Sequence, residues 1–435
     1  MKKAGTGPLG FATDARTLKS AAAVLDHPAG KGRLGRLLPF LGPAFIASVA
    51  YIDPGNIATN IAAGARCGYL LVWVILASNL MAMLIQTLSA KLGLATGRNL
   101  AEHCRDQFPK SVAIVMWLLM EGVAMATDLA EFLGAALGFH LLLGIPLFLG
   151  ALLTALATFF ILGLERYGFR PLEAVISTMV GTITICYLLE SVIGHPDWGQ
   201  VLYHAVVPRF AGAESVFLAA GILGATVMPH AIFLHSALMQ SRIRVRGREK
   251  RRRLFRFEVV DVMVAMGAAS FVNVAMLIMA AATFHRGGLT QVGTIEEAYR
   301  TLQPLLGSAA RWIFGLSLLM SGLSSSTVGT AAGQIVMQGF LRRHVPVWLR
   351  RLVTMAPSLL VVGLGFDPTR TLILSQVVLS FGLPFAIVPL VMFTSRRDLM
   401  GDLVNRRLTT ILAALVASVI VALNVWLLGQ TFLAG

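Results

Sequence analysis

The chain has 435 residues, of which 56% are hydrophobic and only 13% charged, and its formal net charge is +15. A soluble domain of this length carries more charge and fewer apolar residues. Apolar runs long enough to cross a bilayer recur along almost the whole sequence, which predicts an all-α polytopic membrane protein rather than a soluble enzyme. The three cysteines are scattered, so neither a disulfide framework nor a zinc site is predicted.

Eleven membrane spans are predicted. They lie near residues 38–65, 69–94, 112–138, 143–164, 171–192, 214–240, 257–284, 304–338, 347–365, 370–394 and 408–432. Thirty of the 36 Lys and Arg residues lie in the N-terminal tail and in the connections that follow the even-numbered spans. The positive-inside rule therefore predicts a cytosolic N-terminus and, with eleven spans, an extracytoplasmic C-terminus.

The densest basic run is RIRVRGREKRRRLFR, residues 242–256. We interpret it as a cytosolic loop that fixes orientation and can contact anionic lipid headgroups. No nucleic-acid-binding fold accompanies it, so no nucleic-acid partner is predicted.

Two spans are interrupted near their middle by residues that disfavour a continuous helix. The first contains YIDPGNIATN (51–60) and the sixth contains GATVMPHAIFLHSAL (224–238). These spans occupy matching positions if the first ten form two five-helix halves of opposite orientation. Interrupted helices at matching positions of inverted repeats indicate a transporter's binding site in the middle of the membrane. The predicted division is a tail (1–37), repeat 1 (38–210), repeat 2 (211–395) and an eleventh span within 396–435.

Each interruption contains a proline, which lacks the N–H that would bond the carbonyl four residues earlier. Pro54 therefore frees the carbonyl of Ala50, and Pro229 frees that of Ala225. Free carbonyls cannot face lipid, so they must line a cavity or bind a ligand.

Asp53 and Asn56 add oxygen donors beside the first break, and Met228 adds a thioether beside the second. This mixture suits a divalent first-row metal, because sulfur is a poor ligand for calcium or magnesium. Taken singly, Asp53 could instead cap a helix and Met228 could simply pack. An intramembrane carboxylate is nevertheless costly enough to indicate function.

The motifs Asp53-Pro54-Gly55-Asn56 and Met228-Pro229-His230 resemble signatures of the Nramp family, the proton-coupled divalent metal transporters. ATDLAEFLGAA (126–136) in the third span is also similar to the family pattern. The resemblance implies the LeuT-like fold, with two inverted five-helix repeats, one additional helix, and discontinuous helices 1 and 6. It implies that the metal is bound by Asp53, Asn56, Met228 and the Ala225 carbonyl, joined in some states by the Ala50 carbonyl and the Gln376 amide.

The implied activity is import of Mn²⁺ or Fe²⁺ across a bacterial plasma membrane by alternating access, coupled to proton entry. Met228 favours these metals, since some relatives that carry magnesium or aluminium lack the methionine. The protein is then not an enzyme and needs no cofactor, because the metal is its cargo. Its partners are the metal ion, protons and the bilayer; the oligomeric state stays open, and a monomer fits the sequence.

Acidic residues on span 3 predict a route for the proton. Glu121, Asp128 and Glu131 are seven and three residues apart, so they share one helical stripe. Arg350 and Arg351 begin span 9 near the cytosolic end of that stripe. Buried acids near arginines tend to stay ionised, whereas buried acids without them tend to hold a proton, and an alternating set can pass a proton inward. The predicted pathway comprises Asp53, Glu131, Asp128, Glu121, His230, Arg350 and Arg351. The alternative is a salt-bridge network that only joins spans 3 and 9.

Two further segments are interpreted structurally. The small-residue run GLSSSTVGTAAG (322–333) is interpreted as close helix packing. His285 and Glu296–Glu297 are assigned to a solvated outer loop.

Rival functions remain. One is a sodium-coupled transporter of organic solutes on the same fold, whose substrate carboxylate would fit poorly beside Asp53 and Met228. The other is a metal-sensing receptor or an ion channel, which saturable flux with internal acidification would exclude.

Overall fold

The structure is a computed structural model that describes residues 24, 40, 42–164, 169–241, 247–292, 294–342 and 346–433. The predicted tail 1–37, apart from Val24, and residues 242–246 of the basic run lie outside the described residues. All regular secondary structure in the described ranges is helical.

Seventeen α-helices follow one another in the described chain. They are α1 Pro43–Val49, α2 Pro54–Cys67, α3 Val72–Thr96, α4 Leu100–Gln107, α5 Lys110–Leu143, α6 Leu147–Gly163, α7 Phe169–Ile193, α8 Trp198–Val206, α9 Ala213–Thr226, α10 Pro229–Ser241, α11 Arg248–Ala280, α12 Ile295–Leu306, α13 Ser308–Leu341, α14 Val347–Gly363, α15 Pro368–Ser395, α16 Arg397–Met400 and α17 Arg407–Leu433. A π-helix, Ala281–His285, continues α11, and a 3₁₀-helix, Gly401–Leu403, follows α16.

Eight helical segments in the described residues are long and apolar enough to cross a membrane. The other three predicted spans correspond to the interrupted pair α1–α2 and to α6 and α14, which have 17 residues each. Length and composition therefore support a multi-pass membrane protein, while the number of eleven crossings stays a prediction.

Both predicted interruptions are present. Helix α1 ends at Val49 and α2 begins at Pro54; α9 ends at Thr226 and α10 begins at Pro229. Proline stands at the first position of each second half, where its missing N–H costs no helical hydrogen bond. The same residues that break the spans therefore start their second halves.

Helix α1 is held at its beginning by another helix. Asp261 of α11 accepts hydrogen bonds from the backbone N–H of Ala44 at 2.9 Å and of Gly42 at 3.3 Å. A carboxylate at this position satisfies free N–H groups and opposes the positive end of the helix dipole.

Contacts among the connections define two faces of the molecule. On the basic face, Asp106 pairs with Arg342, and Arg251 pairs with Asp402. On the opposite face, Arg66 at the end of α2 pairs with Glu214 at the start of α9, at 2.9 Å. The basic face carries the connections that the sequence assigns to the cytosol.

The prediction that His285 and Glu296–Glu297 lie in a loop is wrong, because both ends of that connection are helical. His285 ends the π-helix, and Glu297 lies in α12, where it forms a capping box with Thr294. Helix α12 is short and amphipathic, so it has no membrane-span signal. Gly307, with φ of 92°, separates it from α13, which begins at Ser308 rather than at residue 304.

Candidate metal centre

The two interruptions meet through the Asn56 amide. Its Nδ2 donates to Asp53 Oδ1 at 2.5 Å and to the Ala225 carbonyl of the other broken helix at 3.0 Å. All three residues are buried. The structure therefore brings together a carboxylate, an amide and the carbonyl that Pro229 leaves free.

Asp53 also caps α2. Its Oδ2 accepts from the N–H of Gly55, and its Oδ1 accepts from the N–H of Asn56, each at 3.0 Å. The capping role and a ligand role are compatible, because a carboxylate has four lone-pair sites. The cap holds the carboxylate at the break, pointing back across the start of α2.

The remaining predicted metal ligands are also buried at or near the two breaks. Met228 is fully buried at the second break, and Ala50 is the buried C-cap residue of α1. Gln376 of α15 is buried, and neither polar atom of its amide has a hydrogen-bond partner in the described structure. A methyl group on Gly55 would overlap that amide, so glycine allows Gln376 to approach the Asp53 loop.

Two side chains that the sequence analysis did not select hold the unwound segment. Asn273 of α11 donates to the Tyr51 carbonyl at 2.8 Å, and Ser321 of α13 donates to the Ile52 carbonyl at 2.7 Å. Asn60 in turn donates to Asn273 at 2.8 Å. Asn273 and Ser321 are separated from the break by more than two hundred positions, and a buried polar residue in an apolar span was their only signal.

Two of the three predicted acids of span 3 pair with the two predicted arginines of span 9. Arg350 contacts Glu121 at 2.8 Å, and Arg351 contacts Asp128 at 3.2 Å. Both guanidinium groups are buried. The pairs alone are compatible with either a proton relay or a structural network.

The small-residue run of α13 does more than pack. A methyl group on Gly322 would overlap the Ala135 backbone, which agrees with the predicted close approach. The hydroxyl oxygens of Ser326 and Thr330 also accept hydrogen bonds from the Arg351 guanidinium, in addition to its pair with Asp128. The predicted close packing is therefore confirmed, and the hydroxyl residues of the same run also supply polar partners to Arg351.

Glu131 and His230 lie between these pairs and the metal donors. Glu131 is fully buried near Asp53 and Asp128, with the Ser325 side chain of α13 beside its carboxyl group and no arginine paired with it in the described structure. His230 Nδ1 lies 3.2 Å from the Thr127 hydroxyl, while its Nε2 has no described partner.

The donor set is chemically mixed. In the described residues, no three His, Cys, Asp or Glu side chains form a group that could hold a metal ion. The candidate site instead combines one carboxylate, amide and carbonyl oxygens and one thioether. Such a set binds a divalent metal more weakly than a closed histidine or cysteine cage, which suits an ion that must be released.

Comparison with known proteins identifies the family. The family model described as "Natural resistance-associated macrophage protein-like" (Nramp) matches residues 44–430. The divalent metal cation transporter MntH of Deinococcus radiodurans is 55% identical over 410 residues, covering 94% of each chain. MntH of Bacillus subtilis is 51% identical over 411 residues, covering 94% of this chain and 96% of that protein.

Solved structures agree in fold. A crystal structure of the Eremococcus coleocola manganese transporter, bound to an aromatic bis-isothiourea substituted compound, is 34% identical. Its TM-score is 0.83, with 91% of this chain and 87% of that chain covered. The nucleobase-cation-symport-1 family transporter MHP1 is 14% identical with a TM-score of 0.59, and the match covers 89% of this chain and 92% of that chain. At this identity the similarity supports the LeuT-like fold and nothing about function. The chain therefore belongs to the Nramp family and is a multi-pass membrane transporter.

Proposed function

We propose that the protein imports divalent transition metal ions, Mn²⁺ or Fe²⁺, into the bacterial cytosol. The observation that carries this proposal is the meeting of the two broken helices at Asp53, Asn56 and the Ala225 carbonyl. Buried oxygen donors at mid-membrane, with Met228 beside them, fit a dehydrated divalent metal better than an organic anion. The names of the similar MntH proteins and of the manganese transporter support the same cargo.

The metal is bound by Asp53, Asn56, Met228 and the Ala225 carbonyl, with the Ala50 carbonyl and Gln376 joining as the site rearranges. In the described structure Asn56 spans the gap between the two breaks, so a metal ion must displace its contact with Asp53. The free amide of Gln376 is placed to replace a water molecule lost by the entering ion.

Proton entry accompanies the metal. Asp53, Glu131, Asp128 and Glu121 form a line of acids from the site toward the basic face, with His230 beside it. The Arg350 and Arg351 guanidinium groups place positive charge beside the inner acids Glu121 and Asp128. Rocking of the half-helices of spans 1 and 6 then opens the site inward, in a protein whose N-terminus lies in the cytosol and whose C-terminus lies outside.

Manganese uptake into proteoliposomes with an internal pH dye tests the function. Wild-type protein should show uptake that saturates with manganese and acidifies the interior, which separates a carrier from a channel or a receptor. Asp53→Asn keeps the size of the side chain and removes its charge. Its manganese affinity should fall by more than the roughly 10–100-fold lost when a group that only orients a ligand is removed. Normal uptake by a folded Asp53→Asn variant would refute the site.

A further inference from the structure

Helix α7 buries a carboxyl group that the proposed metal and proton sites do not use. Glu190 is fully buried, one turn before the helix ends at Ile193 near the opposite face. Neither oxygen of its carboxyl group has a hydrogen-bond partner in the described structure. Intramembrane acids of this kind are expensive, so a function is the default expectation.

The surroundings of Glu190 contain hydroxyl groups that also lack partners. Tyr187, Ser191 and Gly194 fall at helical spacing on the same side of α7. The hydroxyls of Ser191 and of Thr283 in the π-helix have no hydrogen-bond partner in the described residues, and the Tyr187 phenol faces Ser317 of α13. A Cβ on Gly194 would lie 3.5 Å from Thr283 Oγ1, so this edge faces the π-helix.

The elements packed against α7 offer Glu190 no cation. Helices α1 and α6 contain no titratable residue, and α11 has its charged residues at 248–261, toward the basic face. In α13 the charged residue is Arg311, which lies over two aromatic rings. His285 of the π-helix contacts the Ala65 carbonyl instead, at 3.0 Å. The titratable neighbours on α7 itself are Cys186 and Tyr187.

A hydroxyl-bearing line connects this carboxyl group with the first broken span. The Tyr187 phenol lies beside Ser317 of α13. One turn further along α13, Ser321 donates to the Ile52 carbonyl, next to Asp53. In the other direction, Glu190 is one helical turn, about 5 Å, from the exposed connection that follows α7.

We propose that Glu190, with Tyr187 and Ser317, is a second proton-binding site, which loads from the outer solution and lies on a hydroxyl path to the broken first span. An uncompensated buried carboxylate is unstable, so the group must bind a cation. A proton needs no further ligands, whereas a metal cation would need an oxygen shell that these few groups do not complete. This inference rests on the proposed coupling of metal import to proton entry.

Infrared spectroscopy of the purified protein tests proton binding without transport. Wild type should show a protonated-carboxyl band that weakens as the bath pH is raised and that is lost in Glu190→Gln. Glu249→Gln makes the same chemical change at an exposed position and should retain the band. Glu190→Asp, which keeps a carboxyl group, should keep a shifted band even if the glutamine variant folds poorly.

Proteoliposome uptake tests the path. Glu190→Gln and Tyr187→Phe should each lower the number of protons entering per manganese ion, while Glu249→Gln should leave this ratio unchanged. If wild type shows no proton entry but the Glu190 band is present, coupling itself is refuted and the binding site stands.

Three results would overturn the proposal. One is a protonated-carboxyl band that is the same in Glu190→Gln as in wild type. Another is a lost band together with an unaltered proton-to-manganese ratio. The third is thermal stabilisation by sodium in wild type but not in Glu190→Gln, which would assign the site to a metal cation.

Discussion

The thioether of Met228 is the soft donor among the proposed ligands, and it lies fully buried where the sixth span is broken. Its role is therefore separable from that of the oxygen donors. Oxygen atoms attract hard and borderline cations alike, whereas sulfur adds affinity for manganese and iron but little for calcium.

We predict that Met228→Ala weakens discrimination against calcium by about tenfold, equivalent to about 1.4 kcal/mol. Uptake of manganese should persist, because the carboxylate and carbonyl oxygens remain. The measurement is inhibition of manganese uptake by added calcium, with Met266→Ala, another buried methionine, as the control. Equal inhibition of wild type and Met228→Ala would exclude a sulfur filter.

The second half of the first broken span packs against α5 through a close contact that only glycine permits. In α5, a methyl group on Gly134 would overlap the ring of Pro54, the residue that starts α2. On the same helix, Gly122 has open space around the corresponding position. Helix α5 therefore contains one glycine that is required by packing and a second glycine that can serve as its control.

Gly134→Ala should displace α2 and destabilise the protein by about 1–3 kcal/mol, the usual cost of overpacking. Gly122→Ala should be neutral or slightly stabilising, because alanine favours a helix. Thermal unfolding in detergent and manganese uptake measure both effects. Equal unfolding temperatures for the two variants would show that the Pro54 contact is not a constraint.

At the basic face, helix α4 is tied to its neighbours through Asp106. Arg98 and Arg105 contact it at 2.6 and 2.8 Å, and Arg342 at 3.5 Å. Burial alone would raise the pKa of Asp106, but the hydrogen bond and charge of Arg105, with the other two guanidinium groups, hold it below its usual value.

Because the folded pKa is lowered, this stabilisation is present above the ordinary aspartate pKa of about 4 and is lost as the pH falls through the folded value. Asp106→Asn should cost about 0.5–1 kcal/mol at neutral pH. The difference in unfolding temperature between wild type and Asp106→Asn should shrink in acid. A difference that grows on acidification would contradict the assigned sign.

For the whole molecule, the assignment of the two faces to cytosol and exterior can be tested with cysteine. Arg286 and Arg406 are exposed on the opposite and the basic face respectively. In a Cys67→Ser background, an impermeant thiol reagent should label Arg286→Cys in intact cells. Arg406→Cys should react only after permeabilisation. Reversed labelling would invert the predicted topology.

The sequence was informative where one residue determines local geometry. Pro54 and Pro229 predicted the breaks, and apolar runs of membrane-crossing length predicted the spans. It was silent on Asn273 and Ser321, because a polar residue within an apolar span does not reveal which carbonyl it reaches. Helix α12 was missed for a different reason: a short amphipathic helix beside the membrane resembles a loop when hydropathy is the guide.

The carboxylate of Asp261 binds the N-terminal end of α1 to α11. If the cytosolic half of the first span swings away from α11 to release an ion, the N–H groups of Gly42 and Ala44 lose their anchor together. Each unsatisfied group left behind costs about 1–3 kcal/mol unless water replaces it. A movement of α1 away from α11 would therefore require water to reach this helix end.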